Sequence, residues 1–362
     1  MFELWESHDA FARLEAWLES QGFFRPGGED LVADVYLGYG LSGEIRRDRS
    51  PAPPEPCELP LLASVVRSDN YGSRDAIDSR TQIGDWERTW SQPEYEAAVV
   101  SVRDAIARGD VYQVNLVQHL SAPFTGDPRA LATRLGSLTQ SSRLPFTDER
   151  WRVLRGDGWA VVSATPELFL ARRGDRVWTA PIKGTRPAGS AGELHTSAKD
   201  AAEHLMIVDL ERNDLSRVCA HGTVRWPELM TIRAMAGVEH MVSTVEGTLR
   251  AGVGLGELLA AVFPGGSVTG APKIAAVDLI AGLEPVGRGA SMGAIGRVHG
   301  SGDLELALTI RTFAVTAGRI HLWVGGGIVW DSDPAAEVEE SWTKADPLLR
   351  ALRAPVPVAV AS

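Results

Sequence analysis

Short apolar segments with high β-propensity dominate this sequence, and only a few long helical segments interrupt them. The strand candidates are VYQVNLVQ, GWAVVSAT, ELFLARR, DRVWTAPI, GTVRWPELM, EHMVSTVEGTL, GAIGRVHG, LELALTIRTFAV and RIHLWVGGGIVW. They do not alternate regularly with helices, as the strands of a parallel sheet would. The pattern therefore predicts an α+β fold with large antiparallel sheets.

The best-marked helix candidate is SQPEYEAAVVSVRDAIARG, which begins at a Ser cap with an early Pro and ends at Gly109. Its apolar residues Val99, Val102 and Ile106 share one face. Three further segments predict helices: SHDAFARLEAWLES, SAKDAAEHLMIVDLERNDLSRVCAHG, ending near Gly222, and DPAAEVEESWTKADPLLRALR.

Composition excludes several classes of protein. The 362 residues are 44% hydrophobic and 23% charged, as in ordinary globular proteins, and the net charge of −11 argues against nucleic-acid binding. The N-terminus lacks the basic start and apolar run of a signal peptide, and no apolar run approaches the ~18 residues of a membrane span. Cys57 and Cys219 lie too far apart in sequence to suggest a disulfide framework or a zinc site. We therefore expect a cytoplasmic protein that does not associate with a membrane.

Three regions are expected along the chain. Residues 1–90 form a short N-terminal region that packs on the core, with a Pro-rich crossing at 50–60. Residues 91–352 carry the clearer helix and strand patterns and are expected to form the main catalytic domain. Residues 353–362, a small apolar segment rich in Ala, Val and Pro, are expected to be a flexible tail.

One lysine stands in an unusual local context. Lys183 lies in PIKGT, where the strand RVWTA is expected to run out and a Gly follows at once. From this stretch alone, Lys183 is either an ordinary solvated charge or a positioned amine.

Two helices each carry a pair of carboxylates on one face. Glu337, Glu340 and Lys344 are spaced i, i+3, i+7, which suits either Mg2+ or a solvated helix with an internal ion pair. Asp200 and Glu203 are three apart and either compensate the helix dipole or form half of a metal site. The spacing leaves these alternatives open.

Several other positions are candidates for ligand binding. The glycines of VGGGIVWDSD and PGGSVTGAPK permit close approach of the backbone to an anion or form ordinary turns, and neither segment has Walker spacing. Arg311, in the apolar LTIRTF, needs an anionic partner. His240 is either a core histidine or a site residue, and Glu167 either an acid of raised pKa or a charge at a strand edge.

Eight spaced motifs together resemble the chorismate-utilising enzyme family, which includes component I of anthranilate synthase and of aminodeoxychorismate synthase, isochorismate synthase and salicylate synthase. They are GDVYQVNL, SATPELFL, PIKGTRPAG, DLERNDLSR, HMVST, PGGSVTGAPK, TIRT and GGGIVWDSD followed by EVEESWTK. The resemblance covers residues 91–352. It implies a layered sandwich of two large antiparallel β-sheets with outer helices, and an active site between the sheets.

The resemblance also implies roles for individual residues. The catalytic set is Lys183, Glu167 and His240. The Mg2+ set is Glu203 and Glu340, with Asp200 and Glu337 close by. The set that binds or lines chorismate is Gln113, Gly184, Thr185, Thr269, Arg311, Gly326, Gly327 and Lys344. Arg297 stands where relatives usually carry Tyr, and it is expected to add a second cation if it faces the enolpyruvyl carboxylate.

Two positions indicate which reaction such a chain performs. Isochorismate and salicylate synthases of this family have a water-activating Lys where this chain has Gln113, and a neutral amide cannot take that proton. Anthranilate synthases usually have a small residue at the position of Lys183, whereas PIKGT resembles aminodeoxychorismate synthases. The resemblance therefore implies that chorismate is aminated at carbon 4 through a Lys183 adduct, which requires a neutral amine and so a lowered pKa of Lys183.

The ammonia source is expected on another chain. Neither Cys57 nor Cys219 lies in the Gly-flanked turn of a glutaminase nucleophile, so a separate glutamine amidotransferase subunit is implied. The alternatives are anthranilate or 2-amino-2-deoxyisochorismate as the product, a Schiff-base aldolase that uses Lys183, and a non-catalytic chorismate-binding protein.

Overall fold

The computed structural model describes residues 1–67, 80–138, 152–187, 198–235 and 238–353. The predicted site side chains of Thr185 and Asp200, and the predicted tail beyond residue 353, lie outside what is described.

The described chain contains helices and strands in the following order. The α-helices are α1 (Ala10–Ser20), α2 (Gln92–Ala107), α3 (Arg129–Leu135), α4 (Ala198–Ser216), α5 (Leu255–Val262), α6 (Lys273–Leu283) and α7 (Pro334–Arg353). The first nine strands are β1 (Phe2–Leu4), β2 (Val32–Leu37), β3 (Leu62–Arg67), β4 (Gln82–Ile83), β5 (Glu87–Arg88), β6 (Gln113–Thr125), β7 (Val153–Arg155), β8 (Trp159–Ser163) and β9 (Leu168–Arg173). The remaining strands are β10 (Arg176–Ala180), β11 (Ile182–Pro187), β12 (Arg225–Met235), β13 (Val238–Thr248), β14 (Gly270–Ala271), β15 (Ala294–His299), β16 (Leu304–Leu308), β17 (Thr312–Thr316) and β18 (Arg319–Ile328).

These strands form two large antiparallel sheets, which confirms the predicted α+β fold. One sheet has ten strands in the order β1-β3-β2-β15-β16-β9-β10-β13-β11, with β12 also paired to β13. The other has eight strands in the order β14-β6-β18-β17-β8-β7, with β4 and β5 also paired to β6. Aliphatic residues on the buried faces make the core, and each fully buried Leu or Val contributes roughly 1.5–3 kcal/mol.

The helix predicted from the Ser cap forms with the expected signals. Glu94 donates its backbone N–H to Ser91 Oγ at 3.4 Å, and Ser91 returns its own N–H to Glu94 Oε2 at 2.6 Å. This reciprocal capping box satisfies donors that the first helical turn leaves open. Val99 and Val102 are fully buried on the face of α2 that the spacing predicts.

Three expectations about element boundaries were wrong. LELALTIRTFAV is two strands, β16 and β17, that belong to different sheets. Lys183 lies inside strand β11, not at the end of a strand. Helix α4 ends at Ser216, before the predicted end near Gly222. The glycines of RIHLWVGGGIVW lie within strand β18, as that strand candidate predicts.

The N-terminal region is continuous with the larger sheet. Strand β2 pairs with β15 along six residues, from Leu37 opposite Ala294 to Val32 opposite His299. Strand β4 and strand β5 of the same region pair with β6 in the other sheet. Residues 1–90 thus supply strands to both sheets.

Two short crossovers connect the sheets side by side. Residues 164–167 lead from β8 to β9, and residues 309–311 lead from β16 to β17. They are hydrogen-bonded: Ala164 N donates to Arg311 O at 3.0 Å, and Leu308 N donates to Glu167 O at 2.9 Å. This arrangement brings Glu167 and Arg311 together between the sheets. None of the described helices is both long and apolar enough to cross a membrane.

Candidate active site

Lys183 lies beside a bulge in an edge strand. It pairs with Met241 of β13, and the register shifts between Lys183 and Thr185 because Gly184 adopts a φ of 61°. Such a backbone conformation favours glycine. The bulge turns the Lys183 side chain inward, where it is 16% exposed and its Nζ donates to Glu203 Oε1 at 2.6 Å.

The charge of Lys183 is held by several carboxylates. Burial alone would lower the pKa of Lys183, but Glu203, Glu167 and Glu340 together raise it above its usual value. The lowered pKa that the proposed chemistry requires is therefore not a property of the protein without ligands, and for the Mg2+-bound state it stays a prediction. The same result places Glu167 and Glu340 near enough to Lys183 to interact electrostatically.

Glu167 is the buried acid of the site. It is 6% exposed, and Ser267 Oγ donates to its Oε1 at 3.0 Å. Burial raises the pKa of Glu167 to about 7, although Lys183, the Ser267 hydroxyl and Arg311 oppose the shift. Near neutral pH this carboxyl group can both donate and accept a proton.

Arg311 stands at the sheet crossover in a left-handed conformation, with a φ of 51°. Burial lowers the pKa of its guanidinium, while the carboxylate of Glu167 raises it. The sequence expectation placed Arg311 within an apolar strand; the structure places it at the break between two strands, directed at the same region as Glu167.

His240 is buried beside the bulge. Its Nδ1 lies 3.2 Å from Gly184 O, and burial lowers its pKa, so the ring is neutral at physiological pH. Arg311 also interacts with this histidine. His240 therefore joins the site as a neutral group that holds the Gly184 peptide.

Three carboxylates, from helices α7 and α4, approach the glycines of β18. A Cβ on Gly326 would lie 3.3 Å from Glu340 Oε1, 3.4 Å from Glu337 Oε2 and 3.2 Å from Lys344 Nζ. A Cβ on Gly327 would lie 2.9 Å from Glu203 Oε1. The predicted common face of Glu337, Glu340 and Lys344 is confirmed.

Two of these carboxylates, Glu340 and Glu203, already form ion pairs with lysine side chains. Lys344 Nζ lies 2.7 Å from Glu340 Oε1 and donates to Gly325 O at 2.8 Å, much as Lys183 pairs with Glu203. Within the described ranges, no three His, Cys, Asp or Glu side chains cluster tightly enough to hold a metal ion. Oxygen donors from one or two carboxylates nonetheless fit Mg2+, which keeps several waters or substrate oxygens.

Gln113 has unfulfilled hydrogen-bonding capacity. It is fully buried, and neither polar atom of its side chain has a hydrogen-bond partner in the described part of the chain. A Cβ on Gly327 would lie 2.5 Å from its Nε2. Because a buried amide without partners is costly, this side chain is suited to a polar ligand at β18.

Two predicted ligand residues have protein partners. Thr269 Oγ1 donates to Gly265 O at 2.9 Å. Arg297 Nε donates to Asp34 Oδ1 at 3.2 Å in the interior of the larger sheet, and Arg67 reaches the same carboxylate. Asp34 is thus an intramolecular partner for Arg297. A contact between Arg297 and the substrate stays a prediction.

Sequence reasoning missed two contributors. Ser267 was noted only as part of a Gly-rich loop, yet it donates to Glu167 across 100 residues. His204, next to Glu203, bonds Ser243 Oγ at 2.6 Å, and burial, together with Lys183, lowers its pKa to about 4. No local spacing signals either contact, because each depends on the packing of separate elements.

The chain belongs to the family described as chorismate binding enzyme, whose model matches residues 54–350. The match begins earlier than the resemblance seen in the sequence motifs. Lys183, Glu167, Glu203 and Arg311 all lie within it.

Known relatives carry two different names. The chain is 44% identical over 271 residues to anthranilate synthase component 1 of Thermus thermophilus, covering 73% of this chain and 57% of that protein. It is 39% identical over 280 residues to aminodeoxychorismate synthase component 1 of Escherichia coli, covering 75% of this chain and 60% of that protein. The chain thus spans about three fifths of the length of these curated relatives.

A solved structure supports the fold. Anthranilate synthase component I from Streptococcus pneumoniae superposes with a TM-score of 0.74 at 27% identity, covering 87% of this chain and 80% of that one. The two-sheet architecture is therefore that of component I proteins of this family.

Proposed function

We propose that this chain is a component I enzyme that converts chorismate and ammonia into 4-amino-4-deoxychorismate. The observation that carries the proposal is the inward position of Lys183, between the carboxylates of Glu203 and Glu167. The names of the relatives do not distinguish formation of 4-amino-4-deoxychorismate from formation of anthranilate. The proposal of the former therefore rests on the chemistry of Lys183.

Arg311 and Lys344 supply cations for the carboxylates of chorismate in this proposal. The Gly325–Gly327 stretch of β18 pairs with β6 on one edge, while its ladder with β17 ends at Leu322. A ring carboxylate has room beside this backbone because glycines carry no side chain there. Gln113 completes the polar lining.

The proposed reaction proceeds by two displacements. The neutral amine of Lys183 attacks ring carbon 2, the ring double bonds shift, and the carbon 4 hydroxyl leaves as water with a proton from Glu167. Ammonia then attacks carbon 4, the double bonds shift back, and the lysine amine is expelled. The Glu167 carboxylate recovers a proton from the new ammonium group.

Lys183 must lose a proton before it attacks, because the surrounding carboxylates keep it charged in the ligand-free protein. Glu203 and Glu340, with Asp200 and Glu337, are the residues proposed to hold Mg2+. The ion would supply positive charge that polarises the ring carboxylate and competes with Lys183 for Glu203.

The proposed ammonia source is a separate glutamine amidotransferase subunit. Both cysteines of the chain are buried, and burial raises the pKa of the Cys219 thiol to about 11. Neither thiol is therefore suited to act as the nucleophile of a glutaminase.

The test incubates the purified chain with chorismate, ammonium chloride and Mg2+, and analyses products by mass spectrometry with and without an added lyase that releases 4-aminobenzoate. We expect 4-amino-4-deoxychorismate, and a metal chelator should abolish its formation. Anthranilate as the main product would instead support the second candidate, which the Thermus thermophilus relative favours.

A further inference from the structure

A small cavity lies between elements that flank the proposed acid of the site. Its volume is about 20 Å³, and Phe169, Thr179, Glu211, Asp214 and Gly266 contribute to its wall. Phe169 follows Glu167 by two residues, and Gly266 precedes the serine that donates to Glu167. Two wall residues are therefore close in sequence to Glu167 and Ser267, and Glu167 acts electrostatically on Glu211 in the wall.

The wall of this cavity contains an incompletely bonded carboxyl group. Glu211 is 8% exposed, and its Oε2 has no hydrogen-bond partner among the residues that the structure describes. The Thr179 hydroxyl bonds the same carboxyl group. Burial raises the pKa of Glu211 well above its usual range, and the carboxylates of Glu167 and Asp214 raise it further.

Asp214 differs from Glu211 because a cation compensates its charge. Lys273 Nζ donates to Asp214 Oδ2 at 2.5 Å and to Val262 O at 2.9 Å. Glu211 Oε2 is thus the oxygen in this wall that can still form a hydrogen bond with a bound molecule. A buried oxygen without a hydrogen bond normally lowers the stability of the fold unless a ligand or a water molecule donates a hydrogen bond to it.

Size and polarity limit what the cavity can hold. A space of roughly 10–15 Å³ suffices for one water-sized molecule, so about 20 Å³ admits an occupant with a single non-hydrogen atom. The polar side chains that line it, Thr179, Glu211 and Asp214, offer acceptor oxygens. Ammonium consists only of donors, and it matches this lining better than water, which needs donors as well.

We propose that this cavity binds the ammonia nucleophile: entry of ammonium releases the resting Glu211 proton to solvent, and the Glu211 carboxylate then takes one proton from the bound ammonium, which leaves neutral ammonia and a carboxylic acid. This inference rests on the proposed function. The proton moves from nitrogen to Glu211 Oε2, and Glu167 lies near enough to Glu211 to act on its charge.

The first test is structural and independent of turnover. Crystals of the wild-type chain are soaked in rubidium chloride, because the rubidium ion resembles ammonium in charge and size and scatters anomalously. We expect an anomalous peak between Thr179 and Glu211 in the wild type and none in Glu211→Gln. An empty cavity, or ordered water alone in the wild type, would overturn the proposal.

The second test measures amination with ammonium chloride as the nitrogen source. Glu211→Gln should raise KM for ammonium at least about tenfold while KM for chorismate stays within about twofold. Thr179→Val should raise KM for ammonium in the same direction, and Thr179→Ser should restore it. The exposed Glu257→Gln, whose carboxylate pairs with Arg250 on the surface, is the matched control and should behave as the wild type.

The two hypotheses fail in different ways. If wild-type protein makes no aminated product, the proposed function is wrong, and the rubidium peak still decides whether the cavity is a cation site. If amination occurs but Glu211→Gln keeps a wild-type KM for ammonium while its thermal midpoint shows it folded, the ammonia site is wrong and the proposed function stands.

Discussion

Lys183 Nζ donates to Glu203 Oε1 at 2.6 Å, although the two residues stand on different elements, twenty positions apart in sequence. The pairing joins the predicted nucleophile to a predicted metal ligand. It explains why Lys183 is a charged group in the ligand-free protein and makes the state of this amine the decisive property of the site.

Replacement of Lys183 separates covalent from electrostatic roles. Lys183→Arg retains a cation beside Glu203 but provides no nucleophilic amine, so we expect 4-amination to fall to background while the thermal midpoint changes little. Lys183→Ala should also abolish 4-amination, and because it leaves a mostly buried Glu203 without its cation it should cost about 3–5 kcal/mol of stability. Product formation is measured by mass spectrometry, and substantial 4-amination by the Arg variant would show that Lys183 acts only through its charge.

Glu167 should set the alkaline limb of the pH profile. The step that expels the hydroxyl needs its protonated form, and with a pKa of about 7 that form declines as pH rises above neutrality. In the complex with Mg2+ and chorismate, where Lys183 is proposed to be neutral, we expect kcat to fall above about pH 7. Glu167→Gln should lose this pH dependence together with about 10²–10⁴-fold in kcat. The measurement is kcat against pH for both proteins, with Ser267→Ala expected to shift the limb toward higher pH because it removes a bond to the ionised form. A wild-type profile flat from pH 6 to 9 would contradict the role of acid.

The same raised pKa makes Glu167 a cost to stability at high pH. A carboxyl group whose pKa is higher in the folded state stabilises the fold fully below the unfolded pKa and loses that contribution as pH rises through the folded value. Glu167→Gln should therefore be more stable than the wild type at pH 8, by up to about 3 kcal/mol, and the difference should shrink toward pH 5. Chemical denaturation at the two pH values measures it, and equal stabilities at pH 8 would contradict the burial argument.

Gly327 should be intolerant of any side chain. A Cβ at this position would lie 2.5 Å from Gln113 Nε2 and 2.9 Å from Glu203 Oε1, so Gly327→Ala must displace both side chains. We expect KM for chorismate to rise at least about tenfold. The control is Gly282→Ala in helix α6, where a Cβ would meet no atom within 4 Å and should add about 0.5–1 kcal/mol of stability without changing KM. Steady-state kinetics and thermal midpoints test both, and an unchanged KM in Gly327→Ala would contradict this geometry.

Arg297 should behave as a structural cation of the larger sheet. Asp34 is 1% exposed and depends on Arg297 and Arg67, so Arg297→Gln should cost up to about 3–5 kcal/mol of stability, with Arg67 limiting the loss. The double variant Asp34→Asn with Arg297→Gln should recover most of that loss, and KM for chorismate should stay unchanged in both. Denaturation and kinetics are the measurements; a large rise in KM with normal stability would return Arg297 to the substrate site.

Much of the site could be predicted because its motifs are local. The spacing of Glu337, Glu340 and Lys344 determines their common helical face, since side chains three and four apart on a helix are neighbours. The Ser91–Glu94 capping box and the buried face of α2 follow from the same short-range rules. Alternating and apolar strand patterns likewise determined the class of fold.

Other properties depended on contacts between distant segments. The break at Arg311 could not be read from LELALTIRTFAV, because an apolar run looks the same whether it continues in one sheet or crosses to another. The state of Lys183 could not be read from PIKGT, because a pKa depends on which charges tertiary folding brings near.

The amino-acid sequence by itself thus indicated the family, the class of fold and the candidate reactive groups, because these depend on residue type and short spacing. Only the tertiary structure decided that Lys183 is held by Glu203, that Ser267 bonds Glu167, that Arg297 has Asp34 as a partner, and that Glu211 and Asp214 line a small cavity. Those relationships arise where two sheets and helix α4 meet, and electrostatic interactions there depend on distance and burial rather than on sequence spacing.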